Sequence, residues 1–308
     1  MFGKKDLLDL PIRKGDQMTL MKDKIHRIAI LGTENSHARA FAQMAQHAKG
    51  VELVGAYGSD PEANKNFKKL FGVPCTDDPE AFLGDVDGVM VTARDGSKHL
   101  ELARPYLRPG MSVFVDKPFC NSVADAEELI RFADLRKASV CGGSCLKYSS
   151  QISRFKRTLV LKKDLIVGAS FYAPVEMDSP YGGFLFYAPH LIEMALNVFG
   201  YRGLRSVRAV RDENKVFATL YYNGFAVTLF FGGNLYVGSI AFTTTAIAFV
   251  EKDVTELYGR EFANFCAIMR HRASALPDPE ELVAPVRVAN AIVESYETDT
   301  EVRFHYPL

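Results

Sequence analysis

The chain has no tryptophan, no excess of charge of either sign and no continuous apolar run long enough to span a bilayer. Thirty-seven basic residues against thirty-seven acidic ones give a formal net charge of zero, so no global field favours nucleic acid or an anionic membrane. Small molecules and protein partners remain as ligands. Cysteine is scarce: Cys75, Cys120, Cys141, Cys145 and Cys266 are an odd five, and residues 1–24 mix charged and apolar side chains without the apolar core of a secretion signal. This argues against a disulfide framework and predicts reduced thiols in the cytoplasm. Cys141 and Cys145 lack a second ligand pair, so no metal is expected. Internal repeats and low-complexity linkers are absent as well.

The 308 residues, 48% hydrophobic and 24% charged, have the composition of an ordinary globular protein and are enough for two cores. Residues 1–24 read as a docking arm, or as sequence upstream of a start at Met18 or Met21. From residue 25 to 146 short apolar strands alternate with helical patterns. Strands are expected at 25–31, 51–57, 86–92, 111–115 and 139–142. Helices are expected from 38 to 45, from Asp60 and Pro61 to Gly72, from Asp77 and Pro79 onward, over 98–107, and from a capping box at Ser122 and Asp125 to 135. Such alternation means parallel strands joined by right-handed crossovers, a doubly wound α/β domain of the Rossmann type.

Beyond residue 146 the rhythm changes. Strands are expected at 165–173, 206–210, 216–222, 225–231, 239–243 and 246–250, with helices over 188–199, 256–270 and 279–295. Asn223-Gly224 is a hairpin signal in which both turn positions are expected at positive φ. Residues 147–308 therefore read as an α+β domain on a large, mostly antiparallel sheet, one face of which carries Phe230, Tyr236 and Phe242 as candidates for self-association into a homodimer or higher oligomer.

In a doubly wound fold ligands bind outside the carboxyl ends of the strands, so the residues after each strand are the candidates. After the first strand comes Gly32-Thr33-Glu34-Asn35-Ser36-His37; the dinucleotide fingerprint wants glycine at 32, 34 and 37, and only the first is met. A carboxylate at position 34 repels phosphates unless it turns aside. The amides of Asn35, Ser36 and His37 still open a helix and suit an anion. The second strand ends in Gly58-Ser59, without the acid that reads the ribose of NAD, which leans toward NADP or toward no dinucleotide. Asp60 serves as a helix cap.

Val115-Asp116-Lys117-Pro118 ends a buried strand and resembles the acid-Lys-Pro motif of the Gfo/Idh/MocA oxidoreductases, the relatives of glucose-fructose oxidoreductase and inositol dehydrogenase. The stretch 182–193, GGFLFYAPHLIE, is similar to that family's G-G-x-L-x-D-x-G-x-H-x-x-D, with His190 and Glu193 matching and Phe186 in place of the first aspartate. Thr92, Arg94 and His99 resemble the loop that lines the nicotinamide, Lys147 falls where the family often has arginine, and 277–302 is similar to the closing helix and strand. The resemblance implies Lys117 and His190 as catalytic groups. It implies Gly32, Thr33, Asn35, Ser36, His37, Ser59, Thr92, Arg94, His99, Asp116, Lys117 and Pro118 around NAD or NADP, and Lys147, Tyr187 and Glu193 near the substrate.

Two functions follow from different classes, beside a related enzyme class in which, as the resemblance implies, a bound dinucleotide serves elimination or hydrolysis through transient oxidation. One is an NAD(P)-dependent dehydrogenase acting on a secondary alcohol of a sugar, inositol or related polyol. The other is a non-catalytic ligand-sensing or regulatory protein on the same scaffold, favoured by the missing glycines, the missing ribose acid and Phe186.

Overall fold

A computed structural model describes residues 24–162, 166–251, 254–271 and 278–306. Residues 1–23 of the expected arm, Leu165 at the start of one expected strand, and Pro277 lie outside the described residues.

The first half is β1 (His26–Leu31), α1 (Ser36–His47), β2 (Val51–Tyr57), α2 (Pro61–Phe71), β3 (Cys75–Thr76), β4 (Gly88–Val91), α3 (His99–Ala103), β5 (Ser112–Asp116), α4 (Val123–Arg136) and β6 (Ser139–Gly143). The caps explain the helix starts. Asn35 accepts from the His37 amide, Asp60 from the Glu62 and Ala63 amides ahead of Pro61, and Ser122 from the Asp125 amide. The six strands are parallel in the order β3-β2-β1-β4-β5-β6. The order reverses between β1 and β4, which is where a doubly wound sheet opens its binding crevice.

The expected helix after Asp77 is not there. Residues 79–85 form successive turns, with Leu83 bonded to Glu80 O and Asp85 to Phe82 O, and Gly84 at φ +87° prevents a second helical turn. Only Phe82 is pulled inward, against Gly55. The helix expected over 98–107 is cut to α3 flanked by 3-10 turns, the second of which contains Pro105.

The second half is α5 (Ser150–Lys162), β7 (Ile166–Ala173), α6 (Phe184–Phe199), β8 (Leu204–Asp212), β9 (Lys215–Tyr222), β10 (Ala226–Phe231), β11 (Tyr236–Phe242), β12 (Ala246–Glu251), α7 (Thr255–Met269), α8 (Glu280–Thr298) and β13 (Val302–Arg303). Its strands form one sheet in the order β12-β11-β7-β10-β9-β8-β13, antiparallel except for β7 beside β10. Helix α5 was not expected, although Ile152, Phe155 and Leu159 are buried at helical spacing. Helix α6 starts at Phe184, four residues before the expected Ala188. At the hairpin only Gly224 takes positive φ, at +86°, the pattern of a type II turn rather than one with both residues left-handed.

Strand register decides which face each side chain joins. Phe242 is buried on the helix-covered face, and Tyr236 faces the same way, against His190, so the expectation of both on the open face is corrected. Phe230 does stand on the open face. There Val210, Phe217, Phe230, Tyr172, Val237 and Val250 form one cross-strand row over six strands.

The two halves interlock. Phe262, Phe265 and Met269 of α7 pack with Ile28, Met90 and Phe114 on one face of the parallel sheet. Leu282, Val283 and Val286 of α8 pack with Val89, Val113 and Leu129 on the other.

Candidate functional site

The site lies over the carboxyl ends of β1, β4, β5 and β6, roofed by the start of α6. Gly32, at φ +122°, passes so close to the end of β4 that a Cβ there would stand 2.3 Å from the Ala93 nitrogen. The turn after it is fixed on both sides. Thr33 is buried and donates from Oγ1 to Asn64 Oδ1 at 2.8 Å. Asn35, also buried, donates to the Thr92 carbonyl at 3.0 Å and reaches Asp116 Oδ2 at 3.4 Å. Between them Glu34 accepts the Arg94 N–H at 3.0 Å.

At the end of β2, a Cβ on Gly58 would meet Thr33 Oγ1 at 2.0 Å and Asn64 Oδ1 at 2.4 Å. No side chain fits there without displacing them. Ser59 is exposed.

Asp116 is the hub of the floor. It accepts the Lys117 amide at 2.8 Å, and His37 Nδ1 stands 2.6 Å from its Oδ2. Tyr258 on α7 stands 2.8 Å from His37 Nε2. Burial pushes the Asp116 carboxyl up, but His37 and Lys117 outweigh it and hold it below the usual carboxylate range. Lys117 precedes Pro118 and is 4% exposed; its Nζ donates to the Phe186 carbonyl at 3.3 Å and lies 4.1 Å from the Phe186 ring centroid. Burial draws its ammonium below the ordinary lysine value, with Asp116 opposing.

The roof contributes Tyr187, His190 and Glu193. Tyr187 neighbours both expected catalytic groups, its ring centroid 5.0 Å from Lys117 Nζ and 5.5 Å from the His190 ring. His190 is 5% exposed, with Nδ1 2.7 Å from Ser144 Oγ. Burial, and then the Lys117 and His37 charges, drive its pKa well below that of free histidine and leave a neutral ring. Its partner is thus a hydroxyl from the end of β6 instead of a carboxylate.

Glu193 accepts the Ser144 amide on both oxygens at 2.8 Å. Burial raises its pKa, against the pull of Lys147 at 3.8 Å. Lys147 itself donates to the Gly142 carbonyl. Both residues line a cavity of about 400 Å³ with Lys156, Asn197, Leu282 and Pro285, whose walls include neither Lys117 nor His190.

The fold therefore brings together Asp116, Lys117, Tyr187 and His190 from both halves, with Gly32, Thr33, Asn35, His37, Thr92 and Arg94 around the β1/β4 crevice. Other expected residues lie at the edge of this group or away from it. Ser36 is exposed at the helix start, Pro118 packs on Gly96, and His99 is fully buried with its ring nitrogens facing the Ala93 and Phe119 carbonyls. Thr92 donates to the Gly32 carbonyl at 3.1 Å. Ser144, Tyr258 and Glu261 escaped the sequence reading, and Tyr236, expected on the open face of the second sheet, faces His190 instead. Ser144 follows a strand and was findable by the strand-end rule, whereas Tyr258 and Glu261 reach the site only because α7 folds back onto the first sheet.

Residues 26–143 match the model of the oxidoreductase family with an NAD-binding Rossmann fold, Gfo/Idh/MocA. A curated relative described as the oxidoreductase subunit of a UDP-kanosamine synthase from Amycolatopsis mediterranei is 26% identical over 133 residues, 43% of this chain and 37% of that protein. The chain thus aligns with well under half of that relative's length. Among solved structures, GenD2 from gentamicin A biosynthesis in complex with NAD superposes with a TM-score of 0.81 at 16% identity, over 92% of this chain and 97% of that one. Scyllo-inositol dehydrogenase from Lactobacillus casei, with bound NAD(H) and scyllo-inositol, gives 0.79 at 15% identity, over 91% and 99%. Residues 26–143 accordingly match the NAD-binding Rossmann model of the Gfo/Idh/MocA oxidoreductases, and the chain as a whole carries the two-sheet fold of these solved proteins.

Proposed function

We propose that the protein is an NAD(P)-dependent oxidoreductase that interconverts a secondary alcohol of a sugar, inositol or related polyol with its ketone. The observation that carries this reading is the approach of Lys117, which follows β5, and His190, which lies on α6, to the same Tyr187 ring, at 5.0 Å and 5.5 Å from its centroid. The likeness to a dehydrogenase whose structure holds NAD(H) and scyllo-inositol supports it.

The centre of the crevice fits a dinucleotide. Gly32 gives the close backbone approach, and the first turn of α1 directs its amides at the β1/β4 switch point. Gly32, Thr33, Asn35, Ser36 and His37 would hold it on one side, and Thr92, Arg94, Asp116 and Lys117 on the other. Bound there, the nicotinamide supplies the hydride carrier. With position 58 closed to an acid, nothing on β2 opposes a 2′-phosphate and Ser59 is free to meet one, so NADP is the favoured form.

In the oxidation direction, neutral His190 accepts the substrate hydroxyl proton at Nε2 while Ser144 holds Nδ1. Lys117 Nζ donates to the same substrate oxygen and stabilises the charge developing on it. Phe186, seated on Lys117, must turn away for the substrate to enter. Because a hydroxyl stabilises an imidazolium less than a carboxylate does, His190 passes the proton on instead of retaining it.

Thermal shift with NADH and NADPH tests the cofactor, and Lys117→Ala tests the chemistry. The variant is expected to lose turnover far more than it loses dinucleotide affinity; retained turnover removes Lys117 from the mechanism.

A second reading, a ligand-sensing or regulatory protein, is favoured by Phe186 lying on Lys117 and Glu34 on the Arg94 amide. A sugar and polyol panel that stabilises the protein without turnover, with either nucleotide, would select it. Among the described residues no helix is long and apolar enough to cross a membrane. We place the protein in the cytoplasm as a homodimer or higher oligomer, joined by the open face of the large sheet.

A further inference from the structure

We propose that Glu34 is an internal competitor for the diphosphate of the cofactor, so that this protein holds its dinucleotide weakly and must release Glu34 from Arg94 to hold it at all. The inference rests on the cofactor reading above and concerns one residue of that site.

Glu34 occupies the second glycine position of the fingerprint, where a side chain is normally absent so that the backbone can approach the pyrophosphate. Its carboxylate does not turn out to solvent. Oε1 accepts the Arg94 N–H at 3.0 Å, a bond from the turn after β1 to the loop after β4. Those two strands are neighbours at the point where the sheet order reverses, so the side chain bridges the mouth of the crevice. An anionic oxygen on a backbone amide at that place is the same interaction a phosphate oxygen would make.

Its neighbours in sequence cannot substitute for it. Thr33 and Asn35 are buried and bonded to Asn64 and Thr92, which clamps the turn, while Glu34 is only half-buried. Among the described residues no cation forms an ion pair with Glu34, so its charge meets an incoming diphosphate uncompensated by a direct partner. Like charges a few ångströms apart in a partly desolvated crevice repel strongly enough to change affinity by an order of magnitude.

The experiment titrates the full-length protein, Glu34→Gln and Glu34→Gly with NADH and NADPH by calorimetry and thermal shift, without substrate. Gln keeps an acceptor oxygen for the Arg94 amide and removes only the charge, which guards against a variant that merely unfolds. Glu34→Gly is expected to bind at least about tenfold more tightly than the parent, with Glu34→Gln between them. Folded variants that bind no better than a parent that itself binds would overturn the proposal and leave the cofactor reading standing. If parent and variants all fail to bind either nucleotide, the cofactor reading fails and this proposal with it.

Discussion

In the parallel sheet every residue of β4 and β5 is buried, whereas along β9 burial alternates strictly at first, exposed then buried. The cause is coverage. The first sheet has α1 and α7 on one face and α4 and α8 on the other, so both sides of each central strand meet apolar partners. Among the described residues the second has helices on one face only, and its other face shows Val210 at 54%, Phe217 at 44%, Tyr172 at 40% and Val250 at 43% exposure. Two of those four helices, α7 and α8, come after β12 in the chain, so the first sheet's integrity depends on the far end of the molecule. The site inherits this dependence, since Tyr258 on α7 holds His37 against Asp116.

The comparison breaks most visibly at Phe265 of α7, which is fully buried and lies edge-on to Phe114 of β5 at 6.3 Å. Phe265→Ala is expected to cost about 3–5 kcal/mol in urea unfolding and to lower the stability of both halves in one transition. A loss below about 1 kcal/mol, or two separate transitions, would mean that the sheets fold independently.

The bare face offers the next effect. Phe217 and Phe230 stack there at 4.8 Å, at the centre of the apolar row. Aspartate at both positions is expected to turn an oligomer into a monomer by light scattering, with a stability change within about 1 kcal/mol once dissociated. A parent protein that is already monomeric would show that this face is not the interface.

The smallest effect sharpens the covered side. Glu261 of α7 is 1% exposed, and neither carboxyl oxygen has a hydrogen-bond partner among the described residues. Burial, with Asp116 and Glu193 adding and Lys147 opposing, pushes its pKa well above the ordinary value. The folded state thus keeps its proton where the unfolded state has lost it, so stability falls as pH rises from the unfolded value toward the folded one. Glu261→Gln is expected to raise Tm by a few degrees at pH 8 and hardly at pH 5; equal shifts at both would exclude titration as the cause.

Much of this was legible. Caps at Asp60 and Ser122, the run 111–115 and the Asn223-Gly224 turn placed elements because local rules act over a few residues, and acid-Lys-Pro pointed to Lys117. Periodicity also marked α5, through Ile152, Phe155 and Leu159, but the polar residues between them obscured it. The turns at 79–85 misled because a good N-terminus was followed by too few residues before Gly84 to pay for a helix.

By itself the sequence determined most of the succession of strands and helices, though not α5 or the turns at 79–85, together with the change of sheet type beyond residue 146 and the identity of the strand-end groups, since these depend on short-range pattern. Only the tertiary structure decided that Ser144 would partner His190, that Tyr258 would reach His37, that Tyr236 and Phe242 would turn inward, and that Glu34 would lie on the Arg94 amide. Each of these is a meeting of segments far apart in the chain, fixed by register and by the packing of α6 and α7, and no local preference of either partner encodes it.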